Sequence, residues 1–125
     1  MKKNAVIPKF KAMNIEKRRC LRLPFQLPTE YSRVDSFITR FGHTVNICEG
    51  GILVRLPEKL KLGENLRVKI YFDMDFDLYS IEASAKVVWL DGLEQKKKEN
   101  WFGLEFIEMS NEDLEKFEKF IKSYF

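Results

Sequence analysis

From residue 25 to residue 109 apolar and polar positions alternate in short stretches with a period of two, and after residue 110 the period lengthens to that of a helix. "FQLPTEYSRV" and "SFITRFGHTVNI" interleave β-branched or aromatic residues with polar ones, as strands with one wet face do. "GILVRLP" predicts a third strand that Pro57 ends, and a turn at Gly63-Glu64-Asn65 precedes a fourth over 66–73. "SIEASAKVVWLDGL" and "NWFGLEFIEM" predict a final hairpin whose polar connection, "EQKKKE", has the composition of an exposed tip. In "SNEDLEKFEKFIKSYF" Leu114, Phe117, Phe120, Ile121 and Tyr124 fall on one helical face, with charges opposite. Ser110 and Asp113 form an S-x-x-D start signal for that helix. About six strands and one terminal amphipathic helix, read over 111–125, describe a mainly β protein, a small barrel with the helix on its mouth or flank.

The front of the chain lacks either period. Residues 1–14 are read as a flexible basic arm and 15–125 as one domain, with "EKRRCLRLPF" a loop leading into the first strand. The first 22 residues carry eight Lys or Arg against the single acid Glu16, a local balance of +7, whereas the whole chain is +3. Such an arm is either a solvated tail or an attractor of anions.

A chain of 125 residues with 45% apolar and 33% charged positions suits one globular domain. "MKKNAVIPKFKAM" starts with positive charge but has no continuous apolar stretch after it, and no uncharged run approaches twenty residues, so a cytoplasmic location is expected. Cys20 and Cys48 are too few for a disulfide framework, and with one His they offer no tetrahedral zinc set.

Several patterns that could carry chemistry fail on their own requirements. His43 lacks a nearby Ser, Cys or acid in a nucleophile arrangement. Asp73, Asp75 and Asp77 start with the spacing of a calcium loop, but Leu78 stands where glycine is needed and Ser84 where glutamate is needed. No glycine-rich phosphate loop is present. Trp89 and Trp101, set among strand residues, read as core or barrel-rim aromatics.

Two stretches remain, "RRCLR" and "NICEGG". Arg18, Arg19 and Arg22 supply guanidinium groups that can grip phosphate bidentately, pair with guanine O6 and N7, or stack on a purine. Asn46 and Cys48 occupy alternate positions of a strand end, so they share a face, while Gly50 and Gly51 permit a sharp turn or a close approach of ligand to backbone. An amide beside an arginine clamp makes a purine-nucleotide site.

These two stretches resemble the signature of the PilZ domain family, R-x-x-x-R in an N-terminal loop followed by [D/N]-x-S-x-x-G on the barrel. Arg18 to Arg22 match the first part, and Asn46 to Gly51 match the second, with Cys48 where the family has Ser. The resemblance extends over about 15–125, including "WFGLEFIEMSNEDLEKFEKFI". It implies a six-stranded antiparallel β-barrel with a C-terminal amphipathic helix, no catalysis and no cofactor. Cyclic di-GMP would be held between the arginine loop and the outer barrel wall. Arg18 and Arg22 would grip phosphates and guanine faces with Arg19 assisting, Asn46 would bond a guanine, Cys48 would replace the serine hydroxyl, and Gly50 and Gly51 would allow the approach. A stand-alone module of this kind would signal through a protein partner in motility, secretion or exopolysaccharide control. Nucleic acid is not an expected partner, because the region after the arm is net negative. The thiol at position 48, a weaker hydrogen-bonding group than a hydroxyl, leaves a second reading: a PilZ-like interaction module that works without nucleotide.

Overall fold

The computed structural model describes residues 4–6, 24–48, 50–91 and 100–124. Its elements are β1 (Asn4–Val6), β2 (Pro28–Arg33), β3 (Arg40–Cys48), β4 (Gly51–Leu56), β5 (Asn65–Met74), β6 (Asp77–Leu90), β7 (Asn100–Ser110) and α1 (Asn111–Lys122). Every pairing is antiparallel, and the ladder β2–β3–β4–β7–β6–β5 returns to β2, which closes a six-stranded barrel. Closure removes the free edges of these six strands.

The period of two accounts for the walls. Leu66, Val68, Ile70 and Phe72 alternate inward along β5, Ile52, Val54 and Leu56 along β4, and Ile81, Ala83, Ala85 and Val87 along β6. A barrel this narrow is filled by its own side chains. α1 covers one mouth: Phe117 meets Phe106 at 5.6 Å between ring centroids, and Phe120 meets Phe72 at 4.5 Å. Truncating a buried phenylalanine such as Phe117 typically costs ~3–5 kcal/mol, so the helix is part of the core. The expected cap is present, with the Asp113 N–H donating to Ser110 Oγ at 3.1 Å. The helix stops at Lys122, three residues before the expected 125, and Ser123 donates its N–H back to Lys119 O and Phe120 O in a closing turn.

Two further expectations are corrected. Within the arm, Asn4–Val6 pair with Glu108–Ser110 of β7, on the stretch of its edge that lies past the start of β4. The first barrel strand begins at Pro28 rather than near 25, consistent with a residue that has no N–H to give a ladder. Of the two settings expected for Trp89 and Trp101, the core is excluded; both stand on the outer wall, 42% and 37% exposed.

The mouth away from α1 is tied by charge. Arg33, at the end of β2, bonds Glu64 at 2.5 Å, Glu58, and the carbonyl of Lys59 at 3.1 Å. Burial alone would raise the Glu64 carboxyl, but the Lys61 N–H and the Arg33 guanidinium outweigh it and hold it below the ordinary carboxylate range. Burial and the Glu58 hydrogen bond push the Tyr31 hydroxyl upward. No helix among the described residues is long and apolar enough to cross a membrane.

Candidate functional site

Asn46, Cys48, Gly50 and Gly51 lie at the β3–β4 hairpin, at the same end of the barrel as α1 and the chain that enters the first strand. Along β3 the register pairs Thr44 with Val54 and Asn46 with Leu53, so the strand gains one residue, Val45, relative to its neighbour. This β-bulge resets the alternation. Thr44 is fully buried, Asn46 is half-buried on the outer side, and Ile47 returns to the core. From Asn46 the register runs unbroken through Ile47↔Ile52 to Cys48↔Gly51, which places positions 46 and 48 on one side of the strand, as their spacing predicts.

Gly51 is buried between two strands, paired with Cys48 on one side and Glu105 of β7 on the other. The Phe106 N–H donates to Gly50 O at 3.0 Å, which fastens the hairpin turn to β7. Across the outer wall the cross-strand rows are Asn46–Leu53–Gly103–Trp89 and Cys48–Gly51–Glu105–Lys86. The adjoining row is His43–Arg55–Trp101, where the Arg55 guanidinium lies over the indole at 5.8 Å. The wall beside Asn46 therefore has a floor of two glycines, 51 and 103, bounded by an amide, aromatic surface and a carboxylate.

Arg18, Arg19 and Arg22 lie outside the described residues, as do the rest of the loop over 15–23 and the tip over 92–99. What the structure describes is the chain that follows the arginines. The Leu27 N–H donates to Thr44 Oγ1 at 2.8 Å, the Thr44 hydroxyl donates to Phe25 O, and the Thr44 N–H donates to Leu27 O at 3.0 Å. Phe25 also packs on α1, 4.6 Å from the Tyr124 ring and 5.6 Å from Phe120. The polypeptide three residues after Arg22 is thus stitched to β3 two residues before Asn46, and clamped there by the helix.

Thr44 and Phe25 are the contributors that sequence reasoning missed. Thr44 shares parity with Asn46 and Cys48, so simple alternation would set it on the ligand face, and only the bulge turns it inward. Phe25 carries a signal, an aromatic directly after Pro24, but its partner is nearly a hundred residues away in the chain. Among the described residues no group of three or more His, Cys, Asp or Glu side chains could hold a metal ion. The arrangement offers an uncharged hydrogen-bonding group at Asn46 and, beside it, two buried glycines that put no side chain on the wall.

The PilZ domain model matches residues 16–123. Among solved structures, the Bacillus subtilis inhibitor of motility (MotI/DgrA) is similar at 24% identity with a TM-score of 0.65, covering 78% of this chain and 46% of that one. The chain therefore spans under half the length of that protein, and the likeness shows the fold. The PilZ domain of CeSA from a cellulose-synthesizing bacterium matches at 22% identity and a TM-score of 0.42, covering 67% of this chain and 79% of that one. No curated protein matches the sequence.

Proposed function

The chain belongs to the PilZ domain family, whose members are receptor modules for cyclic di-GMP, and from that premise we propose that it binds cyclic di-GMP and passes the signal to a protein partner. The observation that carries the reading is the seam between Leu27, Phe25 and Thr44. It anchors the chain three residues after Arg22 beside Asn46, and three residues span at most roughly 11 Å. A single ligand can then be reached by both halves of the motif. Arg18 and Arg22 grip phosphates and guanine faces with Arg19 beside them, Asn46 hydrogen-bonds a base, and Gly50 and Gly51 admit the ligand to the wall.

Binding at this place has a mechanical consequence. Phe25, three residues after Arg22, packs on Phe120 in the last turn of α1 and on Tyr124 beyond it, so an anion gripped by the arginines alters the packing of Phe25 on Phe120 and Tyr124. The partner reads that change. Because the structurally similar Bacillus subtilis protein is an inhibitor of motility, motility control is the first process to examine.

Isothermal titration with cyclic di-GMP, GTP and the linear dinucleotide tests the reading, with heat expected for the cyclic ligand. Arg18→Ala and Arg22→Ala should each weaken binding by about 1.5–3 kcal/mol, the usual worth of a hydrogen bond to a charged group. Cys48→Ser should preserve or raise affinity. The absence of heat with every nucleotide would remove the receptor reading and favour the second one, a nucleotide-independent interaction module, which Cys48 in the serine position supports. Under that second reading, partner capture is the same with and without cyclic di-GMP.

A further inference from the structure

Glu105 stands one strand beyond Gly51, in the row that starts at position 48. Its neighbours Leu104 and Phe106 are fully buried, so the pleat of β7 turns the Glu105 side chain outward, to the same wall as Asn46. Two buried glycines border it there, Gly51 across the ladder and Gly103 two residues back, so neither of these neighbours sets a side chain beside the carboxylate. The Phe106 N–H bond to Gly50 O, one residue along, holds this part of β7 against the hairpin turn. Glu105 is half-buried, and among the described residues it forms no ion pair, not even with Lys86 opposite it.

We propose that Glu105 is a specificity-determining residue that accepts hydrogen bonds from the Watson–Crick edge of a guanine bound against the wall between Asn46 and Glu105. The inference rests on the cyclic di-GMP reading and extends it, since the arginine and asparagine signature does not include this position. A carboxylate is an acceptor only, and guanine presents two donors on that edge, N1–H and the N2 amine. Adenine presents an acceptor at N1 there, which a carboxylate repels. Arginines recognise the opposite, O6 and N7, edge. A base gripped by arginine on one edge and by Glu105 on the other has both edges read. Asn46 and Glu105, two strands apart and one row along, have Cα atoms separated by about 12 Å, wide enough to seat a purine between their side chains.

The test compares cyclic di-GMP with cyclic di-IMP, which differs only in lacking the N2 amine, on the wild-type chain and on Glu105→Ala. Wild type should prefer cyclic di-GMP by about ten- to one-hundred-fold, as expected for a hydrogen bond to a charged acceptor, and Glu105→Ala should bring the two ligands to near-equal affinity. Loss of a negative charge strengthens binding of both anions alike, so the ratio is the readout. A ratio unchanged by Glu105→Ala, or no preference in wild type, overturns the inference and leaves the receptor reading intact. Failure of wild type to bind either ligand overturns the receptor reading, and this inference with it.

Discussion

Thr44 sits two residues before Asn46, and uniform alternation along β3 would set their side chains on one face. Instead the Val45 bulge sends Thr44 inward, where its single hydroxyl accepts from Leu27 and donates to Phe25. The sequence shows the residue types at these positions but not the bulge, because a bulge is a property of two strands in register and the partner strand decides it. Positions 46 and 48 were legible on one side of the strand because the register between them is unbroken. Thr44→Val keeps the shape and removes the hydroxyl, leaving the Leu27 N–H without that acceptor. It should lower unfolding stability by about 1–3 kcal/mol in urea denaturation. It should also weaken cyclic di-GMP binding, although Thr44 is buried and cannot touch the ligand. Unchanged stability would mean that the entering chain is held by Phe25 on the helix alone.

Among the elements, α1 and the long strands were legible because their periods extend over many residues and their start and stop signals are chemical: Ser110 for the helix, Pro57 for the end of β4. β1 was not, since three residues carry no period and its place is set by the stretch of β7 that runs past the start of β4. The β5–β6 hairpin shows the same limit. "DMDFDLY" reads as one alternating run, with Phe76 on the apolar side, yet Met74 pairs with Asp77 and the two residues between them turn the chain. Asp75 and Phe76 have φ of 55° and 66°, the left-handed pair that a tight hairpin turn demands and that Asn-Gly usually supplies. Phe76 is fully exposed, so its ring gives nothing back for that conformation. Phe76→Gly should therefore stabilise the protein by about 0.5–1 kcal/mol, seen as a higher midpoint of thermal unfolding, because glycine enters this region without a Cβ clash. A lower midpoint would mean that the ring packs at the tip in solution.

At the scale of the whole molecule, closure of the barrel gives two unlike mouths. One is tied by Arg33, Glu58 and Glu64; the other gathers α1, the entering chain and the β3–β4 hairpin. A family resemblance carried by two short stretches separated by more than twenty residues pointed to this second mouth, and the fold brings the chain following one stretch against the strand bearing the other. Glu105 was not legible, for it lies in the run "WFGLEF" as an ordinary outward strand residue, and only the register sets it beside Gly51. The central claim is that cyclic di-GMP bridges the arginine loop and the β3–β4 end of the barrel. Its most direct test is a 1H–15N NMR titration of the full chain with cyclic di-GMP. The amides of residues 15–23, 44–51 and 103–106 should shift together, with those of 58–64 at the far mouth unmoved. No shifts, or shifts confined to the far mouth, would contradict it.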